Sequence, residues 1–146
     1  MAVHRDNPYP NYNFLVEIDG LDTQGAFMEV ELPDVRVDVI EYRTGSDRSS
    51  AVHKLPGRAS YSDVTLRRGV IGALDLYSWL DQTIQGDPGA RRAMSVILLD
   101  EARQEVLRWN FQNVFPTEYQ FNKLDATGKT VLVESLTLAV ERMELV

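Results

Sequence analysis

Apolar and polar residues alternate along most of this chain, with a period of two that predicts β-strands. In NFLVEIDG, Phe14, Val16 and Ile18 fall on one face, and Leu15, Glu17 and Asp19 on the other. Asp19-Gly20 marks the turn that follows. GAFMEVEL is a less regular strand candidate, closed by Pro33. VRVDVIEY sets Val35, Val37 and Val39 against Arg36 and Asp38, and β-branched residues suit a pleated, half-buried surface. SDVTLRRG follows, ended by Gly69. MSVILLD is apolar on both faces, as in a strand buried on both sides. EVLRWNFQNVF places Leu107, Trp109 and Phe111 opposite Arg108, Asn110 and Gln112, and Pro116 closes it. TVLVESLTLAVERMEL reads as the longest single run. Val131 and Val133 share a face with Ser135, and Leu136, Leu138 and Val140 share the other. Such a strand is covered by the core on one side and by another chain on the other.

The period changes once. In ALDLYSWLDQTIQG, residues Ala73, Leu76, Tyr77, Leu80 and Ile84 recur at steps of three and four, with Asp75, Ser78, Asp81, Gln82 and Gln85 opposite. This predicts one amphipathic helix of about three to four turns, stable only when its stripe packs on a sheet. Trp79 falls at the edge of the stripe, and Gly86 stops the helix. Six or seven strands, mostly sequential, with one helix, predict a mainly β class: an antiparallel β-barrel or sandwich with one α-helix in a single domain, 1–146.

Two segments fit no element. Residues 1–13 hold Pro8 and Pro10 and read as an irregular N-terminal strap. EYRTGSDRSSAVHKLPGR, residues 41–58, separates two strand-like runs and is far too long and polar for a tight hairpin turn. It reads as an extended arm over 43–58. Strap, arm and two-faced apolar strands are all devices for meeting other subunits, and unpartnered strand edges otherwise aggregate.

Composition narrows the chemistry. The formal net charge is −7, which argues against a nucleic-acid binder. The basic pairs Arg67-Arg68 and Arg91-Arg92 lie near turn signals and read as solvated ends or subunit contacts. With no cysteine there is neither a disulfide framework nor thiolate chemistry. No apolar run reaches the length of a membrane span, and the N-terminus has no signal-peptide core, so folding in a cytoplasm is expected. His4 and His53 stand alone, without the ligand set that zinc needs, so no metal or other cofactor is expected. GRASYS and RTGSDRSS lack the Gly-Lys-Ser/Thr ending of a phosphate loop. Asp34 with Asp38, or Glu141 with Glu144, are pairs that any acidic surface offers, although glycosidases do use two carboxylates. No catalytic residue is assigned.

NFLVEIDG, VIEYRTGSD, KLPGR, VTLRRG, the Leu-Tyr-Ser-Trp helix, VILLDEARQEVLRWNFQNVFP and VLVESLTLAVERMEL follow one another in order. Together, from about Tyr12 to Val146, they resemble the tail-tube proteins of contractile phages and of phage-like bacterial injection systems. The one departure is Val114-Phe115, where the pattern has a small residue and Trp. The resemblance implies hexameric rings stacked into a hollow tube inside a contractile sheath, a fold like that of the haemolysin-coregulated protein of type VI secretion, and no enzymatic activity. It implies sheath and baseplate partners, effector protein or DNA as luminal cargo, and no stable nucleic-acid or membrane binding by the monomer. Assembly in a bacterial cytoplasm as part of a phage-like particle follows. A bacterial injection system is preferred, with a phage tail tube or a tube-initiator or baseplate copy as the alternative. A small carbohydrate- or peptide-binding β-barrel and a carboxylate-pair hydrolase are the rivals from other classes. On this resemblance the subunit contacts fall to Arg43, Lys54 and Arg58 by charge, Leu55 and Pro56 by docking in a groove, and Tyr9 and Tyr12 of the strap.

Overall fold

The predicted alternation holds in most strands, but their number and ends differ. The computed structural model describes residues 4–21, 27–46, 48 and 50–146. Among these the strands are β1 (Phe14–Ile18), β2 (Glu29–Glu31), β3 (Val35–Tyr42), β4 (His53–Tyr61), β5 (Val64–Gly69), β6 (Arg92–Leu99), β7 (Glu105–Phe121), β8 (Val133–Ala139) and β9 (Arg142–Leu145), with one helix, α1 (Asp75–Ile84), between β5 and β6. Seven strands form one antiparallel sheet in the order β1-β6-β7-β8-β5-β2, with β9 also on β7. β3 and β4 pair only with each other.

The large sheet folds over on itself because β7 serves two layers. Its first half pairs with β6 and β9, and its second half with β8. Between them Asn113 takes φ of 53°, and the register slips again between Pro116 and Glu118. A bulge bends and twists a strand, and it also makes room for a proline, since the ladder is already interrupted there. Pro116 therefore does not end the strand as expected; β7 runs on to Phe121. The expected single run over 130–145 splits in turn: β8 pairs with β7 and β5, and β9 crosses to the other half of β7.

The core lies between the two layers. β1, β6 and the first half of β7 contribute Val16, Ile18, Met94, Val96 and Phe111. Facing them are Val64, Leu66, Val114, Leu136 and Leu138. β6 is buried on both faces as its sequence predicts: Ile97 and Leu99 are as buried as Met94 and Val96. α1 packs Leu76 and Trp79 on this core, and the Trp79 indole N–H donates to the Ala90 carbonyl oxygen at 2.6 Å. The helix is thus rotated from its predicted stripe. Trp79 is central, whereas Tyr77 and Ile84 face solvent.

Arg68 corrects a second expectation. It is 2 % exposed, not solvated, because β5 alternation aims it inward with Val64 and Leu66. Its guanidinium donates to Glu134 of β8, itself 3 % exposed, and to Asp75 in the first turn of α1, with one arm of that second contact at 3.3 Å. The Tyr119 hydroxyl on β7 donates to the other oxygen of Glu134. Burial raises the Tyr119 phenol above its ordinary value, and the Glu134 carboxylate raises it further. Burial opposes ionisation of Asp75, but the Arg68 hydrogen bond and charge outweigh it and hold the carboxyl below its usual range. One cation therefore joins two strands to the helix start. Arg67, the next residue, points outward and pairs with Glu29 at 3.0 Å.

Two outcomes follow from this cluster. Glu134→Ala leaves a buried guanidinium short of a partner, so urea unfolding of the variant should show a loss of about 3–5 kcal/mol. Asp75, whose folded value is depressed, stabilises fully above its unfolded value and loses that contribution as pH falls through the folded one. Stability should therefore decline on acidification below about pH 4. Asp75→Asn should flatten that part of the profile, measured as the urea midpoint against pH.

Candidate functional site

The arm expected over 43–58 is in large part a strand. β4 begins at His53 and pairs with β3 from Tyr42↔His53 down to Val35↔Tyr61, so only 43–52 connect the two. KLPGR hid this because Pro and Gly are depleted from strands. A two-stranded ribbon tolerates both, since each strand has an open edge. Pro56 sits opposite Val39, next to a register slip between Val37 and Val39. At that slip Gly57 lies against β3, where a Cβ would come within 3.1 Å of the Asp38 carbonyl oxygen. Any larger residue there must shift the ribbon.

The ribbon continues β2 and β5 beyond the sandwich. At its root the Ser62 amide donates to the Asp34 carbonyl (3.1 Å) and the Asp34 amide to the Ser62 hydroxyl oxygen (2.7 Å). Beyond that root every residue of β3 is exposed, including Val35, Val37 and Val39, which the sequence pattern expected to be half-buried. Residues directly opposite each other share a face. Near the root one face carries Val35, Val37 and Val39 with Tyr61, Ala59 and Pro56. Toward the tip the apolar character moves to the other face, with Ile40 opposite Leu55 and Tyr42 stacked on His53 at 5.2 Å.

The seven residues expected at subunit contacts divide into two places. Lys54, Leu55, Pro56 and Arg58 lie on β4 and Arg43 just beyond β3, all exposed. Lys54 stands across from Glu41, on the opposite face from Leu55. Tyr9 and Tyr12 lie instead at a cleft of about 610 Å³ beside β2, where the sandwich opens between its two edge strands. Phe14, Val96, Leu98 and Trp109 form its floor; Met28, Val30 and Leu32 form one wall. The Arg5 guanidinium lies over the Tyr9 ring at 3.9 Å and its side chain pairs with Glu101 at 3.0 Å, fixing the strap at the cleft rim. Val37, Val39 and Ile40, which were not among the residues expected at subunit contacts, are exposed on the same ribbon. Their signal was present, an unbroken β-branched run next to the arm, but a run of that kind also marks core.

No group of three His, Cys, Asp or Glu residues suited to a metal occurs among the described residues, and among them no helix is long and apolar enough to cross a membrane. Glu141, half of one carboxylate pair considered above, receives Arg91 and Asn113, and Glu144 pairs with Arg142.

Residues 10–144 match the family model described as T4-like virus tail tube protein gp19. No curated protein matches the chain. Among solved structures, a chain of the PVC sheath–tube complex of an extracellular contractile injection system, in its extended state, is 30 % identical with a TM-score of 0.83, over 97 % of this chain and 93 % of that one. A chain of the anti-feeding prophage cap, which terminates the tube, is 29 % identical with a TM-score of 0.84, over 100 % of this chain and 95 % of that one. Hcp1 from Flavobacterium johnsoniae, at 15 % identity and a TM-score of 0.54 over 90 % of this chain and 93 % of that one, shares the fold alone. By a match over nearly its whole length, the chain belongs to the T4-like virus tail tube protein gp19 family.

Proposed function

We propose that this protein is the inner-tube subunit of a contractile injection system, that six copies close into a ring, and that rings stack into a hollow conduit driven through a target envelope when a surrounding sheath contracts. The observation that carries this reading is the β3–β4 ribbon. It leaves the domain with its apolar side chains in solvent, and an isolated two-stranded ribbon is at best marginally stable in water. Covering it with neighbouring copies removes apolar area from water at about 25 cal/mol per Å², less the cost of association.

A ring supplies what one chain lacks. β1 and β2 are left as the edges of the large sheet, with the apolar cleft between them. A head-to-tail contact that closes by rotation uses a projection on one copy and a recess on the next. The root of the ribbon, with Val37, Val39 and Pro56, is the projection, and the cleft with Tyr9 and Tyr12 at its rim is the recess. Arg43, Lys54 and Arg58 supply positive charge on an otherwise acidic chain and pair with acidic groups of neighbours. The acidic balance keeps DNA or acidic cargo from adhering to the conduit.

The work is mechanical, with no covalent chemistry. Relatives solved in a sheath–tube complex, in a tube-terminating cap and in the baseplate of the anti-feeding prophage support sheath and baseplate proteins as partners and a place in a phage-like particle. The baseplate relative is 22 % identical and was averaged with six-fold symmetry, in keeping with a six-membered ring.

Negative-stain microscopy of the purified chain should show rings or tubes; a persistent monomer at high concentration would overturn the reading. Val37→Asp with Val39→Asp should abolish rings. Because both side chains are exposed in the single chain, its urea midpoint should move by no more than about 0.5 kcal/mol equivalent.

A further inference from the structure

The chain has four methionines, Met1, Met28, Met94 and Met143, and no cysteine, so thioethers are its only sulfur. Those among the described residues differ sharply in exposure. Met94 is 2 % exposed in the core, and Met143 packs against that core from β9. Met28 is 59 % exposed. It stands just ahead of β2, where its amide donates to the Arg67 carbonyl oxygen at 2.9 Å, so its backbone is held while its side chain lies open. Met28, Val30 and Leu32 alternate with Glu29 and Glu31 and form the apolar wall of the cleft, beside the floor of Phe14, Leu98 and Trp109. The two carboxylates of this strand are matched by Arg67 at 3.0 and 3.5 Å. What the wall offers a partner is hydrocarbon and one sulfur.

We propose that Met28 is an oxidation-sensitive checkpoint on ring closure. In the free subunit, peroxide reaches its sulfur. The sulfur lone pair attacks one peroxide oxygen, and an S–O bond forms as the O–O bond breaks. The departing hydroxide takes the proton from the new S–OH group and leaves as water. Sulfur is oxidised by two electrons and the peroxide is reduced by two. The product is methionine sulfoxide, a polar group in place of a flexible apolar one. Burying its oxygen between the cleft floor and the apolar side chains of a neighbour leaves a hydrogen-bond acceptor unpaired, which opposes the contact. The inference rests on the tube reading above, in which the next copy fills the cleft, and adds a control on that site. Three observations select Met28. No thiol competes for the oxidant. The other described thioethers are shielded by the fold itself. Met28 is not part of the core cluster, so its oxidation alters the contact and spares the domain. Once a ring has closed, the neighbour covers this sulfur and the same peroxide no longer reaches it. An oxidised subunit is turned away before assembly, and reduction of the sulfoxide returns it.

The reactive site and its consequence have separate readouts. The chain carrying Val37→Asp with Val39→Asp, which should stay single, is treated with dilute hydrogen peroxide and digested for mass spectrometry. Met28 should gain an oxygen at least about tenfold faster than Met94 or Met143. Equal rates would overturn the inference whether or not the unmodified chain builds tubes. In assembled tubes of the unmodified protein, Met28 should react about tenfold more slowly than in the single chain. An unchanged rate there would overturn the inference. Unmodified protein oxidised while dilute and then concentrated should give few or no rings by negative-stain microscopy, at an unchanged melting temperature. Methionine sulfoxide reductases acting on both epimers should restore the rings. Rings in normal number from protein with Met28 fully oxidised, or a failure of the reductases to restore them, would overturn the inference and leave the tube reading standing. Absence of rings and tubes from the untreated protein would overturn both. Met28→Leu removes the thioether: its ring yield should be the same with and without peroxide, and a loss on treatment would place the effect elsewhere and overturn the inference.

Discussion

Everything in this domain depends on one strand pairing in two layers. β7 has 17 residues; its first half pairs with β6 and, over Trp109–Gln112, with β9, and its second half pairs with β8. A straight strand of that length would leave half its ladder outside any core. The bend at Asn113 and the slip at Pro116 turn it instead, so the sheet wraps its apolar face inward and one continuous core forms. The remaining features are consequences. β9 and β8 sit on opposite halves of β7 because the chain must cross the same corner, and α1 closes the end where the layers meet.

The Arg68 cluster is the price of ending the core there. β5 carries its inward alternation one position past Leu66, its last inward apolar residue, so a guanidinium enters the interior and must be matched. Glu134, Asp75 and Tyr119 match it from two strands and the helix start. Replacing the whole group by apolar residues of similar volume is a reasonable alternative for stability alone. What the ionic version adds is direction: hydrogen bonds from one planar fork set the helix start at one angle on the sheet. That angle leaves Leu74 and Tyr77 exposed, with the Tyr77 ring edge-on to Tyr119.

Legibility in the sequence followed burial. Strands with one wet face and one dry face, β1, β5 and β8, were readable because alternation reports that asymmetry. β6 was readable by the absence of alternation. The ribbon was half-readable. Its first strand has the β-branched residues of a core strand, and nothing local says that the core is elsewhere. Its second strand contains Pro56 and Gly57, which are breakers in a central strand and harmless in a ribbon with open edges. The helix was found but misphased. Ala73, Leu76, Tyr77, Leu80 and Ile84 and the observed pair Leu76 and Trp79 both fit a helical stripe, and only the position of the sheet chooses between them. The residues expected at subunit contacts show the same limit. Five of the seven lie on or next to the ribbon, while Tyr9 and Tyr12 reach a different place, the cleft.

The sequence by itself determined the mainly β class, the single helix, the absence of cysteine, and the ordered segments that mark the tail-tube family. These are properties of period, composition and order, which need no third dimension. The tertiary structure decided which apolar residues are core and which are left exposed. Val37 and Val96 are the same residue type, each in a strand-forming run, yet one is 55 % exposed and the other 3 %. The difference is whether a second layer stands opposite. β6 has one, because β7 folds back over the core; β3 lies beyond the corner, where the chain provides none.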